Sequence, residues 1–175
     1  MLLASGDAID ILNDVHSATQ ETVTLTVQSD LNCRFLRVIP GTFPISLRIS
    51  DGYLAPLFTT AVGISIAMQL PDEEINRLLE RTNNRAKRRG DRLDPAKVAH
   101  EVREARQRGY TTVYEALLPD TGAVAAPFPS AVKGFPMAIG VGGLRDRIRR
   151  SEQSISRSIR SAIARRLGRK SGHRT

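Results

Sequence analysis

At 175 residues the chain makes one domain, or one domain with an appendage, and its 41% apolar content is enough for a proper core. No stretch approaches the ~18 consecutive apolar residues of a membrane span, and Met1-Leu2-Leu3-Ala4 has no basic region before Asp7 and Asp10, which excludes a signal peptide. The single Cys33 excludes an internal disulfide, and with no targeting segment the cytoplasm is the expected location. The net charge of +8 is uneven: residues 145–175 hold eleven Arg and Lys against two acids, and the remainder holds fifteen against sixteen. Such a tail suits an anionic partner, or is a solvated helix face with a frayed end.

In chain order, Ile9, Ile11, Leu12, Val15 and Ala18 follow helical spacing over residues 7–19. Thr22–Gln28 alternates and is β-branched, a strand, and past the turn at Ser29-Asp30 its hairpin partner is Asn32–Ile39. Pro40-Gly41 breaks that strand, and Ile45, Leu47 and Ile49 alternate again, predicting a further strand before Asp51-Gly52. Leu54–Leu57 leads past Pro56 to a helix capped by Thr59 or Thr60 and running to Met68. That helix is apolar nearly all round and so buried on most sides, and Gly63 within it marks a close backbone approach. Asp72, Glu73 and Glu74 open the next helix, where its dipole favours acids, with Ile75, Leu78 and Leu79 inward. Asn83–Arg92 reads as an exposed basic loop, and Asp94-Pro95 starts a helix buried along Val98, Val102 and Ala105 and ended by Gly109.

Three short strands follow, Tyr110–Glu115, Ala123–Phe128 and Phe135–Val141, separated by turns at Asp120–Gly122 and Pro129–Gly134. Alternation places Val113, Ala123, Gly140 and Gly142 on one face, small enough either to admit a closely packed element or to floor a cavity. A last helix carries Leu144, Ile148, Ile155, Ile159, Ile163 and Leu167 inward and Arg outward, is closed by Gly168, and leaves Arg169–Thr175 as a disordered basic tail. Hairpins at both ends with helices between predict an α+β domain built on an antiparallel sheet.

Little catalytic chemistry is on offer. His16, His100 and His173 have no metal spacing, no CxxC, GxSxG, P-loop or dinucleotide fingerprint is present, and no carboxylates pair in the strands. No enzyme, metal or cofactor is therefore expected. No aromatic residue follows Phe135, which disfavours nucleic-acid stacking by the tail helix.

Four stretches in register resemble the effector-binding domain of the IclR family of bacterial transcription factors, over roughly residues 8–168. They are Thr19-Gln20-Glu21-Thr22-Val23; Ala55-Pro56-Leu57-Phe58-Thr59-Thr60-Ala61-Val62-Gly63 with Leu70-Pro71-Asp72-Glu73-Glu74; Arg106-Gln107-Arg108-Gly109-Tyr110; and Gly122–Pro127 with Ala138–Gly143. The resemblance implies a GAF-like fold, a curved antiparallel sheet with helices on both faces. It also implies a small-molecule effector in a cup between sheet and loops, assembly as a homodimer or tetramer, and operator DNA as a partner through a winged helix-turn-helix. The 175 residues contain no such reader, so residues 1–18 are expected to be the end of its linker helix and 19–168 the effector domain, with the reader either cut away, which is favoured, or never present.

Family members that sense small carboxylates present an Asp, a Cys and two Ser in the cup, at positions that fall here on Val113, Ala123, Gly140 and Gly142. The helix-start contacts fall on Ala61 and Val62, the usual Lys on Ile64, and the usual His on Phe58. A site for an anion needs donors, because burying a carboxylate without them costs several kcal/mol. A lining of Val, Ala and Gly instead favours an apolar or aromatic effector, with the glycines enlarging the cavity and Arg34, Arg37 or Arg48 available for a distal acid group. The alternatives are a collapsed cup in a domain that only dimerises, and a free-standing basic module that binds nucleic acid or protein through the Arg-rich last helix.

Overall fold

The computed structural model describes residues 6–130 and 135–168. Of the turn expected at Pro129–Gly134, residues 131–134 lie outside the described residues, as does the tail at 169–175.

Alternating β-branched residues form the first hairpin, β1 (Thr22–Ser29) and β2 (Asn32–Ile39). β3 (Leu54–Pro56) extends β2, and β4 (Thr111–Tyr114), β5 (Thr121–Phe128) and β6 (Met137–Leu144) form the other half. The order is β3-β2-β1-β6-β5-β4, antiparallel throughout, so the halves join where β1 pairs with β6. The sheet is curved, as expected of a GAF-like domain.

Helices cover both faces. On one, α1 (Gly6–Thr19) and α5 (Arg145–Gly168) bury Ile11, Leu12, Val15, Ile148, Ile155 and Ile159 against Val23, Leu25, Val124, Ile139 and Val141. Ile163 is partly buried there, Leu144 ends β6 rather than starting α5, and Leu167 is outside the described side chains. Arg166 joins the two helices by ion pairs to Asp10 and Asp14, both at 3.2 Å.

On the other face lie α2 (Ala61–Ala67), α3 (Asp72–Arg85) and α4 (Pro95–Arg108). Thr60 caps α2, its hydroxyl accepting from the Gly63 N–H at 3.1 Å. A side chain on Gly63 would collide with the Leu57 carbonyl and come within 2.8 Å of that of Pro56, the close approach its sequence position implied. Asp94 caps α4 with Pro95 following, and Gly109 ends it in the left-handed conformation. The loop expected over Asn83–Arg92 is shorter than predicted: α3 runs to Arg85 and Arg89–Asp91 makes a 3-10 turn.

The strand predicted around Ile45, Leu47 and Ile49 is absent. Residues 40–53 run without a ladder, and the ladder on the outer edge of β2 is that of β3, opposite Asn32–Arg34. Scattered bonds hold the segment instead: the Thr22 hydroxyl accepts from the Gly41 N–H at 3.0 Å and donates to the Leu47 carbonyl at 2.6 Å, and the Asp51 side chain accepts from the Val38 N–H of β2 at 2.7 Å.

Candidate functional site

The register sets the predicted residues side by side. Val113 pairs with Ala123, Ala123 with Gly142, and Gly142 with Thr22, a row across four strands. Gly140 lies in the next row between Ala125 and Thr24. With α2 above them, Val113, Ala123, Gly140, Gly142, Ala61 and Val62 line one cup. Its wall also includes Thr22, Thr24, Phe35, Leu47, Ile49, Thr60, Glu115, Leu117 and Thr121, and these the sequence reading did not find.

The other two predicted residues lie elsewhere. Phe58 is buried in the core and borders a separate open groove between α4 and β4, which Val113 also touches. Arg34 is outside the cup and exposed, its guanidinium 3.4 Å from the Gly52 carbonyl. Arg37 pairs with Asp51 at the surface, and Arg48 is exposed. None of these three lines the cup; for Arg34 the reason is that β2 presents Phe35 to the cup and the neighbouring Arg34 to the opposite side.

The cup is apolar in effect as well as composition. Four threonine hydroxyls border the cup, and three of them donate to backbone carbonyls: Thr22 to Leu47 at 2.6 Å, Thr60 to Pro56 at 2.8 Å and Thr121 to Leu118 at 2.6 Å, while Thr24 stands 3.5 Å from the Gly140 carbonyl. No Lys, Arg or His side chain lines the cup to meet an anion. The one charge at the wall is Glu115, itself anionic and paired with Arg145 at 2.7 Å.

The glycines do not enlarge the cavity as expected. A Cβ on Gly140 would stand 2.5 Å from Val62 Cγ1, and one on Gly142 2.8 Å from Leu47 Cδ2. Neighbouring side chains have taken the space, and about 50 Å³ remains free. That is less than the roughly 150 Å³ of an apolar cavity that holds benzene.

No cluster of His, Cys, Asp or Glu able to hold a metal occurs among the described residues, and none of their helices is long and apolar enough to cross a membrane. The curved sheet with its covered cup defines a GAF-like α+β domain. A sequence model of the family described as "Bacterial transcriptional regulator IclR C-terminal" matches residues 6–168. The HTH-type transcriptional regulator KipR of Bacillus subtilis (strain 168) is 27% identical over 137 residues, 78% of this chain and 55% of KipR, so the chain spans about half of that relative. Among solved structures, the effector domain of a transcriptional regulator IclR from Acinetobacter sp. ADP1 superposes with a TM-score of 0.84 at 21% identity, covering 95% of this chain and 96% of that one. Thermotoga maritima IclR gives 0.74 at 23%, covering 93% and 67%. The chain belongs to the IclR family of bacterial transcriptional regulators, as the C-terminal effector-binding domain, and is not an enzyme.

Proposed function

We propose that the domain binds an apolar or aromatic small molecule in the cup between α2 and the sheet, with neutral compounds preferred to acids. The observation that carries this is a lining with no cationic side chain, in which the Thr22, Thr60 and Thr121 hydroxyls donate to backbone carbonyls. An effector there gains about 25 cal/mol for each Å² of apolar surface it buries, whereas a carboxylate would meet Glu115 and no cationic side chain. Binding shifts the arrangement of a homodimer or tetramer in the cytoplasm and so the spacing of operator-reading domains attached through α1.

α5 is less suited to act as a free-standing basic module, because its Ile148, Ile155 and Ile159 are core and Arg145, Arg147 and Arg166 are paired with acids. A thermal-shift panel tests the proposal: toluene, indole, benzoate and hexanoate against glyoxylate and pyruvate. At a concentration 100 times Kd, binding adds about 2.7 kcal/mol, which is roughly 5–10 °C for a chain of this size. Stabilisation by toluene or indole is expected, and stabilisation by the two short acids alone contradicts the reading.

A further inference from the structure

We propose that residues 40–53 are a strap whose Leu47 plugs the cup and sets the size of effector admitted, and that Arg147 is the positioning residue tying this strap to α5. The inference rests on the cup being the effector site.

The strap has no strand ladder and is held at separate points. At one end Gly41 lies against the β1 backbone, where a Cβ would come within 3.0 Å of the Thr22 nitrogen and 3.2 Å of the Gln20 carbonyl oxygen. The Thr42 N–H donates to that same carbonyl at 3.0 Å. In the middle the Thr22 hydroxyl holds the Leu47 carbonyl. At the far end Gly52 and Tyr53 bond the backbone of Phe35 in β2, at 2.7 and 3.0 Å. Between these points the side chains divide. Leu47 and Ile49 turn into the cup, while Ile45 is 65% exposed. Leu47 occupies the space left by the bare backbone of Gly142, so its removal frees volume next to the floor of the cup.

Arg147 makes the remaining attachment. It stands in the first turn of α5, and its guanidinium lies 4.0 Å over the Phe43 ring and donates to the Ile45 carbonyl at 3.1 Å. The same guanidinium clasps both carboxylate oxygens of Glu21, with Nη2 to Oε2 at 2.9 Å. Glu21 is buried at the junction of α1 and β1, its carboxylate lying where a side chain on Gly143 would stand. Lifting the strap to admit a ring removes Phe43 and the Ile45 carbonyl from Arg147 and leaves it to Glu21 alone. The contact between strap and cup is thereby linked, through packed and hydrogen-bonded side chains, to the first turn of α5 and to the end of α1.

Benzene and n-propylbenzene serve as probes, read by the methyl shifts of Val62, Ile49 and Leu117, which line the cup and not the groove, and by amide exchange over the strap. Leu47→Ala is expected to bind benzene about tenfold more tightly than the unaltered chain, as apolar cavities of sufficient size do, with a larger gain for n-propylbenzene. Leu47→Val is expected to shift both in the same direction by a smaller factor. Arg147→Lys keeps a cation for Glu21 but cannot span Glu21, Ile45 and Phe43 together. It is expected to speed exchange over residues 42–49 about tenfold, as local opening does, while β1 and α5 keep their rates. Unchanged probe binding in both Leu47 variants, or exchange in Arg147→Lys that is unaltered or rises evenly across the fold, overturns the proposal. The two readings fail separately. A panel compound that shifts the methyls around the α4–β4 groove instead of the cup retires the effector site. A compound seated in the cup whose affinity ignores Leu47→Ala retires the strap.

Discussion

Val62 occupies the space that a side chain on Gly140 would need, its Cγ1 standing 2.5 Å from where a Cβ would be built. The two residues come from α2 and β6, so the glycine sets how closely the helix lies on the sheet. Gly140→Ala is therefore expected to destabilise the domain by about 1–3 kcal/mol, the usual cost of overpacking. Adding Val62→Ala should recover part of that loss, with a coupling of about 0.5–3 kcal/mol between the sites. Urea unfolding of the two single variants and the double variant measures this, and strictly additive losses would show that Gly140 faces open space.

Arg106 stabilises the link between α2 and α3. Its guanidinium donates to the Met68 and Leu70 carbonyls, at 3.0 and 2.7 Å, and to Asp72 at 2.7 Å. A lysine there has the charge but not the planar fork. Arg106→Lys is expected to cost about 1.5–3 kcal/mol, the worth of a hydrogen bond to a charged group, seen as a lower urea midpoint with an unchanged slope. A midpoint equal to that of the unaltered chain would contradict this role.

Cys33 is fully buried in β2, and burial pushes its thiol up to about 12. The thiolate is the reactive form, so the native protein is expected to be inert to a disulfide reagent at pH 8 and to react with one equivalent once unfolded in guanidinium. Prompt reaction of the native protein would mean that β2 opens readily.

Asp30, in the β1–β2 turn, is paired with Arg81 at 2.7 Å and Arg85 at 3.4 Å, and the hydrogen bond from Arg81 holds its carboxyl below the ordinary value of 3.8. The folded state thus binds this proton less readily than the unfolded state. The pairing contributes stability fully above pH 3.8 and loses it as pH falls through the lowered value. Asp30→Asn keeps a residue that tolerates the positive φ of 53° found here. It is expected to flatten the fall in stability below pH 4, measured by urea midpoints; an unchanged profile would show that the pair does not contribute.

Where local pattern and pairing agree, the fold was legible in the sequence. Thr60 and Asp94 announce helix starts through side chains that serve their own first turns, and the β-branched run at Thr22 announces β1. The face shared by Val113, Ala123, Gly140 and Gly142 follows from alternation, and the register bears it out. The segment carrying Ile45, Leu47 and Ile49 misled because alternation reports which side chains turn inward, not whether the backbone has a strand to pair with. Leu47 and Ile49 do turn inward, but the hydrogen-bond partners are Thr22 and Arg147, distant in sequence. The size of the cavity was illegible for the same reason. A glycine signals room at its own position, and only the fold shows that Leu47 and Val62 have taken it.

The most direct measurement is a crystal structure of the domain with the most stabilising neutral compound of the thermal-shift panel bound. The account predicts density for that compound between Val62, Val113 and Gly142, with Leu47 displaced from Gly142. Density in the groove between α4 and β4, beside Phe58 and Val98, with Leu47 still seated on Gly142, would contradict it.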